Sequence, residues 1–95
     1  NPRWIWITPY RVDEERQDEN KWFAQLKLKW YNDDLSGIHM HLTSKKEIVV
    51  DLRKGFDGGD LLLDDGVHTS LEGHIYIVRQ FLTTLSESRR NSVEN

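Results

Sequence analysis

The apolar positions of the chain follow three patterns in succession. In residues 3–12 they run together, with Trp4, Ile5, Trp6 and Ile7 consecutive, as in a strand covered on both faces. Pro9 has no N–H to give and should end its central pairing. Over residues 21–53 the pattern alternates. Trp22, Ala24, Leu26, Leu28 and Trp30 are set against Phe23, Gln25, Lys27, Lys29 and Tyr31, and Ile38, Met40 and Leu42 against His39, His41 and Thr43. Ile48, Val50 and Leu52 follow the same rule in residues 47–53. A period of two predicts three strands, each with a core face and an outer face. From 69 to 87 the period lengthens, and Leu71, Ile75, Val78, Leu82 and Leu85 recur at spacings of four and three. On a helix they form one stripe, widened by Phe81, with Glu72, Tyr76, Arg79, Gln80 and Thr83 opposite. Thr69 and Glu72 read as a capping box at its start.

The polar stretches between these patterns read as connections. Residues 13–20 are nearly all charged or amide and suit an exposed loop or a short frayed helix. Residues 32–37 (Asn, Asp, Asp, Leu, Ser, Gly) and 44–46 supply turn chemistry. Residues 54–66 hold four glycines and four aspartates around Leu61, Leu62 and Leu63, which suggests a short closing strand between two glycine turns. Consecutive strands joined by short turns most simply form an antiparallel meander. The expected fold is therefore α+β: a meander of about four to five strands, or a partly closed barrel, with one C-terminal amphipathic helix packed on it. Residues 1–87 make a single domain, and 88–95 a polar, flexible tail.

Composition narrows the function by exclusion. Ninety-five residues suit one core. With no cysteine, thiol catalysis, a disulfide framework and a zinc ribbon are excluded, and a reducing, intracellular compartment is weakly favoured. A net charge of −3 gives no global attraction to nucleic acid or anionic lipid. No apolar run approaches the roughly 20 residues of a transmembrane helix. Position 1 is Asn rather than Met, which leaves room for a removed leader or a larger parent protein.

Five candidate sites arise. His39 and His41, two apart on a strand, would share a side, but a third metal ligand is lacking nearby. The Asp/Gly stretch 55–66 has carboxylates that calcium favours, without the spacing of an EF-hand or a repeated β-roll. Ser70 or Thr69 with His68 or His74 and the aspartates supply the letters of a catalytic triad, without a nucleophile elbow. Phe23, Lys27, Lys29 and Tyr31 share one face of the second predicted strand, where bases could stack and phosphates be met. Lastly, Trp4, Ile5, Trp6 and Ile7 exceed what one side of a strand can bury, and tryptophan is enriched at interfaces. The leading expectation is a non-catalytic protein-interaction module or accessory subunit, homo-oligomeric and without cofactor, pairing with a second chain through residues 3–7. A single-stranded nucleic-acid-binding domain is the alternative, and a small hydrolase a distant third.

Overall fold

The structure, a computed structural model, describes residues 4–53, 55–56 and 59–94, with 91–94 by backbone alone. Arg3, Lys54, Asp57, Gly58 and Asn95 thus lie outside the described residues, and with them part of the Asp/Gly stretch and the end of the expected tail. Strand β1 (Trp6–Ile7) pairs with β2 (Val49–Val50) in parallel, Trp6 beside Val49 and Ile7 beside Val50. Parallel neighbours cannot be closed by a tight turn, so the chain must cross over between them. The crossover carries α1 (Glu14–Asp18), α2 (Lys21–Leu26) and α3 (Asn32–Lys45). After β2 come a 3-10 turn (Gly59–Leu61) and α4 (Leu71–Glu94).

The antiparallel meander, and the barrel variant with it, is corrected by this topology: helix takes up 57% and strand 7%. Two of the three alternating segments are helical, for local reasons. Asp13 accepts the Arg16 N–H at 3.0 Å and Asn20 the Phe23 N–H at 2.9 Å, so α1 and α2 each begin on a side-chain cap. Lys27 ends α2 in the left-handed region, at φ 55°. Residues 32–37, expected as a turn, instead open α3, with Asp33 and Asp34 at its positive end and Lys45 at its negative end. Its covered positions are Asn32, Leu35, His39 and Leu42, at spacings of three, four and three.

Around β2 the alternation holds. Ile48, Val50 and Leu52 are all buried, and Val50 and Leu52 join Phe56 and Leu62 in the core. Tyr10 stacks on Phe56 with ring centroids 4.7 Å apart, and Tyr76 meets Phe56 edge-on at 5.5 Å. Ile5, Leu61, Ile77 and Phe81 pack around this cluster. Leu61 to Leu63 form no closing strand; one antiparallel bridge joins Leu62 to Thr69.

Helix α4 is present, but turned about its axis from the expected orientation. Tyr76, Ile77 and Phe81 face the core, whereas Leu71, Ile75, Val78 and Leu82 are 72%, 44%, 55% and 56% exposed. The reason is a close approach at Gly73, where an added Cβ would lie 2.2 Å from the Leu61 carbonyl oxygen. Only a residue without a side chain fits there, and this fixes which face turns inward. The cap is also one residue later than expected: Gly73 N–H donates to Ser70 Oγ at 3.1 Å. The helix runs on to Glu94, through residues read as a tail. No helix among the described residues is long and apolar enough to cross a membrane.

Among the described residues, nothing pairs with the outer edge of β1. Trp6 N–H donates to Ile48 O and Thr8 N–H to Val50 O, both at 3.0 Å. The peptide groups of Ile7 therefore point the other way, to an edge where no described residue meets them.

Candidate functional site

The chain leaving the C-terminal end of β1 runs into the loop that precedes α4. Tyr10 Oη donates to Val67 O at 2.6 Å, and Asp13 N–H to Gly66 O at 2.9 Å. In open parallel sheets, ligands bind outside the carboxyl ends of the strands, and this loop sits at that end. Burial first, and the charge of Asp65 second, push the Tyr10 phenol above its ordinary pKa, so it remains a donor to the loop across the neutral range. Arg16 Nη1 adds donors to Leu62 O and Leu63 O, each at 3.4 Å.

This clamped loop carries an aspartate–histidine pair. Asp65 Oδ1 accepts the backbone N–H of Val67 at 2.8 Å and of His68 at 2.9 Å, while Oδ2 takes a hydrogen bond from His68 Nδ1. Partial burial opposes the Asp65 charge, but the Val67 and His68 amides and the imidazole outweigh it and hold the carboxyl below the usual range. An ionised carboxylate can only accept, so Nδ1 carries a proton, and in the neutral ring the lone pair lies on Nε2. The His68 side chain is 69% exposed against 18% for Asp65. The carboxylate is thus fixed and the outer nitrogen open. Beside Asp65 a cleft of about 430 Å³ is lined by Asp64, Asp65, Arg16, Glu19, Asn20 and Lys21.

The other triad letters are engaged elsewhere. Ser70 Oγ donates to Asp60 O and caps α4, and Thr69 Oγ1 pairs with His74 Nδ1 at 3.0 Å. No hydroxyl among the described residues hydrogen-bonds to His68 Nε2. The two histidines weighed as metal ligands are separated: two residues apart on α3 rather than on a strand, His39 is buried with Nε2 against Pro9 O, and His41 is exposed. Among the described residues no three His, Asp or Glu side chains converge on a metal position.

The residues of the basic aromatic face lie on α2 and the loop after it, not on a strand. Phe23 packs edge-on against Trp30 at 5.3 Å, Lys29 pairs with Asp18 at 2.9 Å and lies 5.4 Å from the Tyr31 ring centre, and Lys27 is exposed at the end of α2. Lys29 and Tyr31 are brought together, and Phe23 pairs with a different ring. Of the leading run, Ile5 joins the core, while Trp4 (74%), Trp6 and Ile7 remain exposed, with Lys46 Nζ 4.4 Å from the Trp6 ring centre.

The Asp65–His68 pair was missed as a unit, although its signal is in the sequence. An aspartate three residues before a histidine, across Gly66, can accept two following amides and the ring at once. No protein family, curated protein or solved structure matches the chain.

Proposed function

We propose that Asp65 and His68 are the orienting carboxylate and general base of a hydrolytic site acting on ester-type carbonyls. The observation that carries this reading is the geometry of one carboxylate, held by two amides and by Nδ1, with Nε2 left open at the carboxyl end of a parallel strand pair. Base plus orienting group is the arrangement that activates oxygen nucleophiles. Nε2 takes the proton as the oxygen attacks the carbonyl, Asp65 stabilises the imidazolium that forms, and the same proton passes to the departing alkoxide. The nucleophile is water, since no hydroxyl among the described residues hydrogen-bonds to Nε2.

The test is the rate of p-nitrophenyl acetate hydrolysis at neutral pH. His68→Gln is expected to lower it by about a hundredfold, in the range of general-base contributions, and Asp65→Asn by at least about tenfold, since the wrong ring nitrogen is then free to carry the proton. His41→Gln serves as the control for an ordinary exposed imidazole and should change nothing. A wild-type rate in His68→Gln, or an equal loss in His41→Gln, would falsify the assignment. Labelling by a serine-directed phosphonate would overturn water as the nucleophile.

A protein-interaction role is the second reading, favoured by the open edge of β1 with exposed Trp4, Trp6 and Ile7 beside it. A strand added at that edge would engage the Ile7 N–H, so its hydrogen exchange is expected to slow as protein concentration rises. An exchange rate independent of concentration into the high micromolar range argues against self-pairing there.

A further inference from the structure

The outward stripe of α4 has the spacing of a coiled-coil seam. Leu71, Ile75, Val78, Leu82 and Leu85 recur at four, three, four and three residues, which averages the 3.5-residue period that keeps a seam facing a partner helix. At about 100° per residue, this seam and the midpoint between the core-facing Tyr76 and Ile77 lie on nearly opposite sides of the helix, so a helix docked on the seam would stay clear of the body.

We infer that α4 pairs with α4 of a second copy of this chain, antiparallel, about a twofold axis between residues 76 and 77. In that register Leu71 lies across from Leu82 of the other copy and Ile75 across from its Val78, giving four apolar layers. Charge selects this arrangement. Glu72 and Arg79 border the same flank of the seam and are roughly 10 Å apart along one helix, beyond each other's reach. The twofold places Glu72 of each copy beside Arg79 of the other, forming two ion pairs at the rim. A parallel pairing in register sets Arg79 against His74 and leaves Glu72 without a cation. Four layers are a small interface, so dimerisation belongs in the micromolar range. None of this depends on the Asp65–His68 reading.

Sedimentation equilibrium of the full chain from about 1 to 500 μM at low salt tests the pairing. A monomer–dimer equilibrium is expected. Ile75→Lys, at an exposed position that leaves the core intact, should abolish it. Glu72→Arg and Arg79→Glu, each of which sets like charges together twice, should weaken it by about tenfold, and the double exchange should restore it to within about twofold. A monomer at every concentration, a dimer indifferent to Ile75→Lys, or a double exchange no tighter than the single ones would each overturn the proposal.

Discussion

Phe56→Ala is expected to destabilise the chain by about 3–5 kcal/mol, the range for emptying a buried aromatic position. Phe56 is 1% exposed and lies between the Tyr10 and Tyr76 rings, so three segments lose their common contact at once: the exit from β1, the stretch after β2, and α4. Little in a core this small can move in to fill the space. Leu82→Ala removes nearly as many atoms from an outward position and should cost less than about 1 kcal/mol at low micromolar concentration. Urea midpoints at unchanged slope measure both. If Leu82→Ala proves the more damaging, Leu82 faces the core and α4 is not rotated as stated.

Gly66→Ala is expected to cost about 2–5 kcal/mol, because two penalties coincide. Gly66 has φ +77°, a region that residues with a Cβ occupy only with strain, and an added Cβ would sit 2.4 Å from the Asp13 carbonyl oxygen and 2.9 Å from Arg16 Cβ. The loop can escape only by moving off α1, which breaks the Asp13 N–H to Gly66 O bond and re-aims Asp65. Thermal unfolding should therefore shift downward together with a loss of the ester hydrolysis proposed for Asp65 and His68. Full activity in a destabilised Gly66→Ala protein would separate the loop's position from the chemistry.

What could be read in advance depends on which force decides each segment. In residues 47–53 burial decides, and the inward Ile48, Val50 and Leu52 were legible because β2 is covered just where its alternation says. The alternation in 21–31 has another origin. Residues 21–26 form a helix with no buried residue, so its apolar side chains report no core face, and a period of two arises without a sheet. In α3 the same letters hold two periods. Ile38, Met40 and Leu42 alternate, but Leu35, His39 and Leu42 recur at four and three, and the acidic pair at 33–34 is helix-start chemistry that also resembles a turn. For α4 the sequence shows two apolar faces, one through Tyr76, Ile77 and Phe81 and one through Leu71, Ile75, Val78 and Leu82. The purely aliphatic stripe looks like the core face, and only the contact of Gly73 with Leu61 chooses the other. The candidate site was half legible. His68 and the aspartates were visible as letters, while their union depends on a turn whose geometry is set by Gly66 and by the distant Tyr10 and Asp13.

Two side-chain amides stand in for strands in the crossover. Asn32 gives Nδ2–H to Val12 O and accepts Val12 N–H on Oδ1, both at 2.8 Å. The buried Gln17 gives Nε2–H to Trp30 O at 2.9 Å and accepts Trp30 N–H on Oε1 at 2.7 Å. Each amide satisfies both backbone groups of one residue, donor and acceptor together, as a neighbouring strand would. The excursion through α2 is thereby fastened at its base like a loop of thread between two knots. Chain can be added or removed between residues 27 and 29, past α2 and past the residues that line the cleft beside Asp65, with only a slowly growing entropic penalty, and neither the strand pair nor the loop bearing Asp65 need register the change. This is the segment where homologous chains are expected to differ most in length, and where a reporter peptide could be inserted without disturbing the rest.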